Sequence, residues 1–158
     1  METICPNWWS EDDAMRTVLL DFFVPGDPAP QGSKRYLGPG KVVESSKRVA
    51  SWRADIRAVA ESVMKPRHEA LWAAPVYVEL DFYLSRPKSH FGTGRNAQKI
   101  KESAPRWPGR PDIDKLARAV LDALTGLVIA DDSTVVELLA SKSYGRRPGV
   151  AVLVEEMW

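Results

Sequence analysis

Apolar residues recur along the chain with two spacings, and these spacings predict the order of its secondary-structure elements. Thr17 to Val24 is rich in β-branched and aromatic residues, and Pro75 to Leu84 carries an apolar residue at every second position, so both segments are predicted to be strands. Two further strands are predicted at about Thr134 to Ser143 and Val150 to Glu155, with a turn at Gly145 to Gly149 between them.

Two other segments repeat apolar residues every three or four positions, which is the spacing of an amphipathic helix. The first runs from about Lys47 to Met64, with Ser46 as a candidate N-cap and Pro66 as a stop signal. The second runs from Ile113 to Thr125, and Gly126 stands at the position of a C-terminal cap. The surface of the first helix that is left over is expected to be strongly basic because of Arg48, Arg53 and Arg57.

The resulting order, β-α-β-α-β-β, predicts an α/β (α+β) fold in which two main helices pack on one mixed β-sheet. At 158 residues the chain is long enough for a single domain with a substantial core. Residues 16–158 are expected to form that domain, and residues 1–15 an irregular N-terminal extension.

Composition excludes several classes of protein. No apolar run approaches the roughly 18 residues of a membrane span, so no membrane association is expected. Cys5 is the single cysteine, which excludes an internal disulfide and suits a cytosolic protein. Only His68 and His90 are available, which argues against a histidine-based metal site. The glycine run ending at Lys41 lacks the pattern of a phosphate-binding P-loop, so no nucleotide cofactor is expected.

The net charge is only +1, but basic and acidic residues are unevenly distributed along the chain. Residues 31–111 carry sixteen basic and seven acidic side chains, whereas residues 112–158 carry five basic and eight acidic ones. A basic region followed by an acidic cluster suits a nuclease that uses a metal, with cations for phosphates and carboxylates for the metal. The alternative is a scatter of charge over a solvated surface.

Two loops concentrate the positive charge. The segment from Pro25 to Lys41 is rich in proline and glycine and carries Lys34 and Arg35 at its centre. The segment from Arg86 to Arg110 holds seven basic residues and one acidic residue, and a loop of that length is usually functional or disordered. Its charge makes phosphate contact the natural hypothesis, and a disordered linker is the alternative.

Acidic residues flank the second helix at both ends; they are Asp112, Asp114, Asp131 and Asp132. At about 100° per residue, Asp114, Arg118 and Asp122 share one polar stripe on the helix. The short segment after the helix offers a way for the second acidic pair to return beside the first. The plain alternative is that aspartates at helix starts and in turns act only as caps.

Carboxylates that converge repel one another unless a divalent cation neutralises them, and oxygen ligands suit Mg²⁺ or Mn²⁺ rather than zinc. In phosphodiester cleavage such a metal activates water and stabilises the charged transition state. A cation such as Arg118 or Lys142 would hold the phosphate or the developing charge.

At this point the chain resembles a known family, the RusA family of Holliday-junction resolvases, and in particular its phage-borne members. The resemblance rests on the loop from Gly26 to Arg35, on Pro111-Asp112-Ile113-Asp114-Lys115-Leu116, on Arg118 to Gly126, on Val128-Ile129-Ala130-Asp131-Asp132, and on Lys142. It extends from about Asp21 to Lys142 and so covers most of the chain.

The family consists of small homodimers that cut four-way DNA junctions symmetrically with magnesium and acidic residues. The resemblance implies that Asp112, Asp114 and Asp132 are catalytic metal ligands, and the adjacent Asp131 is included among the candidate metal ligands. This chain departs from the family pattern in having Lys115 where the type member has asparagine, and Arg118 where it has lysine. Because a guanidinium does not share the point-like geometry of an ammonium, the catalytic cation is open among Arg118, Lys115 and Lys142.

The sequence therefore predicts a Mg²⁺-dependent endodeoxyribonuclease that resolves Holliday junctions in DNA recombination and repair, with Mn²⁺ as a substitute metal. A homodimer in the cytoplasm is expected, in that of the bacterial host if the gene is carried by a phage. Two alternatives are a nuclease of broader specificity for flaps and forks and a non-catalytic module that binds branched DNA. The predicted DNA contacts are Lys34, Arg35, Lys115, Lys142, Lys88, Arg95, Lys99, Lys101 and Arg110.

Overall fold

The fold is that of a computed structural model, which describes residues 16–32, 34–36, 39, 42–44, 48–64 and 71–157. The predicted N-terminal extension, the candidate cap Ser46, the stop at Pro66 and His68 lie outside the described residues. The strands within them are β1 (Thr17–Pro25), β2 (Lys34–Tyr36), β3 (Val42–Glu44), β4 (Val76–Leu84), β5 (Val135–Tyr144) and β6 (Gly149–Glu156).

Four of these strands form one mixed sheet with the spatial order β1-β6-β4-β5. β4 and β5 run parallel, while β6 is antiparallel to both of its neighbours. The mixed sheet is thus confirmed, but the turn at Gly145 to Gly149 does not make a hairpin, because β4 separates β5 from β6. The sequence pattern also missed the small hairpin of β2 and β3, whose strands have three residues each.

Two helices occur in the described residues, α1 (Val49–Met64) and α2 (Ile113–Leu124). Each agrees with its predicted segment, and Gly126 has the positive φ of +73° that a residue after a helix end requires. Both helices pack on one face of the sheet. Every second residue of β4 on that face is buried, from Val76 to Leu84, which is the alternation that predicted the strand.

Arginines of α1 hold α2 in place, contrary to the expected basic outer surface. Arg53 forms an ion pair with Asp122 at 2.8 Å, and Arg57 donates hydrogen bonds to the carbonyl oxygens of Ala123 and Thr125. These carbonyls belong to the last turn of α2, where a cation is favoured by the helix dipole. Arg53 and Arg57 therefore stabilise the packing of the two helices, while Arg48 is exposed at the start of α1.

The direction of α2 relative to β5 decides which end of the sheet each end of α2 lies near. Near the end of β5, the Lys142 ammonium donates a hydrogen bond to the carbonyl oxygen of Pro111, just before α2. The other end of α2 leads through Ile129 and Ala130, which are bonded to the region of Trp72 just before β4. α2 therefore runs opposite to β5, and the two ends of this 12-residue helix are about 18 Å apart.

The basic segment from Arg86 to Arg110 has structure of its own. It contains two short 3-10 turns, Lys88–His90 and Gly94–Asn96, and a β-bridge between Phe91 and Ile100. None of the helices in the described part of the chain is long and apolar enough to span a membrane.

Candidate active site

Asp112 occupies the N-cap position of α2 but does not cap it. Its side chain accepts no hydrogen bond from the helix backbone; instead, Asp112 Oδ2 lies 2.9 Å from Lys115 Nζ. The carboxylate is more than half exposed. An aspartate that only terminated the helix would direct its oxygens at the free backbone N–H groups of the first turn. Asp112 therefore keeps its carboxylate available for another partner.

The charges around Asp112 keep it ionised. The hydrogen bond from Lys115 lowers the pKa of the Asp112 carboxyl group, and the positive charges of Lys115, Arg110 and Lys142 act in the same direction. The pKa of Lys115 is raised in return, chiefly by Asp112 and to a smaller extent by Asp114. The start of α2 thus joins two carboxylates to a cation that interacts with both.

Asp114 and Arg118 are both exposed on α2, one turn apart, as the polar stripe predicted. Asp122, the third member of that stripe, is half-buried in its ion pair with Arg53 and has a structural role. The stripe is therefore divided between an exposed start at Asp114 and Arg118 and an end at Asp122 that packs against α1.

Asp131 and Asp132 lie at the opposite end of α2 from Asp112 and Asp114. Both are exposed and stand just before β5, in and beside a 3-10 turn, Asp132–Thr134. Asp131 Oδ1 accepts a hydrogen bond of 3.0 Å from the Ser133 backbone N–H, and the hydrogen bonds from Ser133 lower the pKa of Asp131. Asp131 thus acts as a cap, while Asp132 has no such bond to the turn among the described contacts.

One chain does not bring the two acidic pairs together. The length of α2 separates them by about 18 Å. Across the residues that the structure describes, no group of three or more histidine, cysteine, aspartate or glutamate side chains is arranged to hold a metal ion. The short segment after α2 turns toward Trp72 and the start of β4, not back along the helix.

Lys142 is used to fix the approach to α2. Its Nζ donates hydrogen bonds of 2.7 and 2.8 Å to the carbonyl oxygens of Gly109 and Pro111. These bonds hold the backbone that leads directly into Asp112. Lys142 therefore positions Asp112 through the backbone that precedes it. Lys115 and Arg118 are the cations that lie beside the acidic residues on α2.

A cleft of about 720 Å³ opens beside Asp112 and Lys115. The loop after β1 forms one side of it, and that loop is fixed by a hydrogen bond of 2.9 Å from the Gln31 backbone N–H to the Lys115 carbonyl. Sequence reasoning missed Asp27, Arg48 and Tyr144, which also line the cleft. Asp27 does belong to the quoted loop from Gly26 to Arg35, but no spacing in the sequence indicated that this loop meets α2.

The other predicted DNA contacts surround this cleft to different extents. Arg110 lines the cleft itself, and the cations of the basic segment are exposed: Lys88, Arg95, Lys99 and Lys101. Trp107 is 61% exposed, with the Arg106 guanidinium 5.3 Å from its ring centroid. Lys34 and Arg35 lie in β2, and the structure does not describe their side chains.

The fold and this site define a class of protein: an α+β domain that presents carboxylates and cations together at one helix end, the combination used to cleave phosphodiesters. The sequence profile of the family described as Endodeoxyribonuclease RusA matches residues 25–155. The chain therefore belongs to the RusA endodeoxyribonuclease family, and the resemblance seen in the sequence is confirmed. It is also 31% identical over 139 residues to a protein of Bacillus subtilis (strain 168), the uncharacterized protein YqaN, across 87% of this chain and 96% of that protein.

Proposed function

We propose that the protein is a Mg²⁺-dependent endonuclease that resolves four-way DNA junctions by paired, symmetric cuts during recombination and repair. The observation that carries this proposal is Asp112, an exposed and ionised carboxylate that does not cap its helix and that lies beside Lys115 in a cationic cleft. Membership of an endodeoxyribonuclease family supports a reaction on DNA. A cytoplasmic enzyme fits this role, because the substrate of a bacterial or phage nuclease lies in that compartment.

The side chains at the start of α2 fit a magnesium ion. Asp112 and Asp114 offer only carboxylate oxygens, which are the ligands that Mg²⁺ and Mn²⁺ prefer. The lowered pKa of Asp112 keeps one of them charged well below neutral pH. A bound magnesium ion would supply an activated water and would neutralise charge on the phosphate. Asp132 is the third ligand in this proposal, and Asp131 is left to cap its turn.

Three cations would hold the substrate at this site. Lys115 and Arg110 line the cleft next to Asp112, where they are placed to bind the phosphates on either side of the cut. Arg118 is exposed one turn further along α2, on the side of Asp114. We therefore assign the charge stabilisation of the cleaved phosphate to Lys115 and Arg118, and the orientation of Asp112 to Lys142.

A second copy of the chain would complete the site. β5 forms one edge of the sheet and exposes three large apolar residues: Val136, Leu138 and Leu139. If two copies pair along β5 about a two-fold axis, the strands run antiparallel and the start of one β5 lies beside the end of the other. Asp132 precedes the start of β5. Lys142 lies near the end of β5 and holds the start of α2 there. A two-fold dimer would therefore bring Asp132 of each copy toward Asp112 and Asp114 of the other.

The first experiment is cleavage of a labelled synthetic four-way junction in Mg²⁺ by wild type and Asp132→Asn. Wild type is expected to make symmetric nicks, and the variant to lose activity by on the order of a hundredfold or more. Asp131→Asn is the matched control: asparagine can still cap the turn, so its loss should be much smaller. Both variants should bind the junction in Ca²⁺. If wild type binds junctions but cuts none in Mg²⁺ or Mn²⁺, the protein is a binding module instead.

Mixed dimers test the shared site directly. Asp112→Asn and Asp132→Asn are each inactive alone, but a mixed dimer would contain one site with both defects and one intact site. Mixing the two variants should therefore restore nicking of one strand per bound junction. If each chain builds its whole site, every site in the mixture carries a defect and no activity returns.

A nuclease of broader specificity for flaps and forks is the second candidate, and the ordered basic segment favours it. Its exposed cations lie beyond the cleft, where they would contact a DNA arm whatever the geometry of the branch. Relative cleavage rates on static four-way, three-way and flap substrates distinguish the two functions. A resolvase prefers the four-way junction strongly, whereas comparable rates on all three would favour the second candidate.

A further inference from the structure

The cleft beside Asp112 combines charged side chains with apolar and aromatic ones, and each kind makes up half of the lining residues or close to it. Six of its lining residues are prolines, leucine or tyrosine: Pro28, Pro30, Leu84, Pro87, Pro111 and Tyr144. Its volume of about 720 Å³ lies within the range of roughly 300 to 1,000 Å³ of clefts that take small organic ligands. A site that held only a sugar–phosphate chain would be lined mainly by cations and backbone N–H groups.

The Tyr144 ring is held in a fixed orientation by the basic segment. The Arg86 guanidinium lies over its face at 4.1 Å from the centroid, and the His90 ring meets it edge-on at 5.8 Å. Arg86 is itself fixed by a hydrogen bond of 2.8 Å from Nη1 to the Pro105 carbonyl oxygen. A ring that is already oriented loses little conformational entropy when a flat ligand stacks beside it.

The polar groups of the cleft are sorted by chemistry. Arg48, Arg110 and Lys115 supply positive charge for a backbone phosphate. On the side of the β1 loop, Asp27 Oδ1 accepts a hydrogen bond of 3.4 Å from Ser85 Oγ, and Asp27 is exposed to the cleft. A carboxylate accepts hydrogen bonds from the exocyclic amino group of a base, a group that thymine lacks.

We propose that this cleft receives the base of one unpaired nucleotide that adjoins the phosphate to be cut. The base lies against Tyr144 and the prolines, Asp27 reads its amino group, and the cations hold its phosphate near Asp112. A base within a duplex cannot reach such a recess, whereas a base at a branch point has lost a stacking neighbour and leaves the helix more readily. The inference rests on the proposed function and adds to it a means of selecting both the branch and the sequence.

The test uses static four-way junctions in which the nucleotide beside the cleavage site is each of the four bases or an abasic residue. Wild type should cut the best of these junctions about tenfold or more faster than the abasic one, and should disfavour thymine. Tyr144→Leu should lose most of this difference. Tyr83→Leu is the matched control, since Tyr83 is the half-buried tyrosine beside Leu84 on the other face of the sheet and does not line the cleft.

Asp27→Asn provides a second variant, whose side chain is exposed and whose folding is not at risk. It should reduce the disadvantage of thymine, because an amide also donates hydrogen bonds to a base carbonyl. The inference is wrong if wild type cuts the abasic junction as fast as the others, or if Tyr144→Leu slows every junction by the same factor.

Photocrosslinking separates this inference from the proposed function. A junction with 5-iodo-2′-deoxycytidine, which keeps the exocyclic amino group, at the same position and bound in Ca²⁺ without cleavage, should crosslink to the segments that contain Ser85, Pro111 or Tyr144. Crosslinks there support base capture even if no junction is ever cut. Crosslinks confined to other surfaces would overturn it even if cleavage is efficient.

Discussion

At the scale of single residues, the contacts of an aspartate decide how readily its carboxylate can take another partner. Asp112 and Asp131 both have a lowered pKa, but for different reasons: a lysine side chain in one case and hydrogen bonds within a turn in the other. An aspartate that is paired with a flexible ammonium can exchange that partner for a metal ion. An aspartate whose Oδ1 accepts a backbone N–H of its own turn has its side chain fixed by that turn and is less free to reorient toward a metal ion. The two aspartates are therefore not equivalent as ligands.

Removal of the Lys115 ammonium should raise the pKa of Asp112. The substitution Lys115→Met eliminates the hydrogen bond and the nearest positive charge, which are the two largest causes of the lowered value. The pKa of Asp112, followed by ¹³C NMR of its carboxyl carbon in metal-free protein, should move up toward the ordinary value of an aspartate. Arg118→Met, one turn further along α2, is the control and should leave the pKa of Asp112 unchanged. If the pKa of Asp112 is the same in Lys115→Met as in wild type, the role given to Lys115 is contradicted.

Tyr77 should make stability fall in alkali. The side chain is 7% exposed, its hydroxyl donates a hydrogen bond of 2.8 Å to Glu79 Oε2, and burial followed by this bond raises its pKa to about 12. Because the folded state holds the phenol proton more tightly, the contribution of Tyr77 is complete below the ordinary pKa of 10.0 and is lost as the pH rises toward 12.

Urea unfolding at pH 8, 10 and 11 measures this effect. Wild type should lose stability over this range more steeply than Tyr77→Phe, which cannot ionise there. At pH 8 the variant should be about 1 kcal/mol less stable because it lacks the hydrogen bond. If the free energy of unfolding falls equally with pH in the two proteins, Tyr77 has the same pKa in the folded and the unfolded chain and the prediction is wrong.

At the scale of secondary-structure elements, the end of α2 depends on the conformation of one residue. Gly126 has a φ of +73°, and a Cβ placed there would meet no atom within 4 Å. The requirement for glycine is therefore one of backbone conformation and not of space. The chain needs this left-handed residue to leave the helix and reach Ile129, whose carbonyl oxygen accepts the Gly126 N–H at 2.8 Å.

Gly126→Ala should lower the free energy of unfolding by about 1 to 2 kcal/mol, the cost of a left-handed conformation for a residue with a Cβ. Gly109→Ala is the control, because Gly109 has equally open surroundings but is not among the glycines with positive φ. Its stability should be unchanged or slightly higher, since alanine restricts the unfolded chain. Equal losses in chemical denaturation of the two variants would contradict this assignment.

The elements themselves were largely predictable, because their apolar spacings reflect the face that each one buries. β4 illustrates this well: its alternation from Val76 onward reports a face that is packed under both helices. The small β2–β3 hairpin was missed because strands of three residues carry no period. The pairing of β5 with β4 was also missed, because the neighbours of a strand depend on long-range packing rather than on the turn that follows it.

The residues of the candidate site were predictable by type but not by position. Aspartates beside a helix signal a metal or a cap, and only the contacts distinguish Asp112 from Asp131. The sequence suggested that Asp132 returns to Asp112, whereas the opposite direction of α2 and β5 keeps them apart within one chain. The cleft was not visible in the sequence, since it joins the loop after β1 to residues more than eighty positions later.

At the scale of the whole molecule, the sheet presents one edge strand with apolar side chains exposed on both of its faces. Leu138 and Leu139 are 43% and 53% exposed, on neighbouring positions of β5. An edge strand of this kind is open to pairing with another strand unless something covers it. In the proposed function, a second copy of the chain is the partner that would also complete the acidic site.

Leu138→Lys together with Leu139→Lys should convert the protein into a monomer that keeps its fold but does not cut junctions. Both side chains are largely outside the core, so circular dichroism and thermal unfolding should show a folded domain. Sedimentation should report the mass of one chain. Val18→Lys on β1, the opposite edge of the sheet, replaces a side chain of similar exposure and should remain dimeric and active. A monomeric wild type with full activity would contradict the shared site.

The distance between Asp132 and the start of α2 has a consequence for how the activity depends on abundance. If neither copy holds a complete set of metal ligands, a newly made chain is harmless to the chromosome until it meets another. Below the dissociation constant of the dimer, the rate of cutting then grows with the square of the protein concentration. Doubling the amount of protein would quadruple the activity, so expression level itself would decide when DNA is cut.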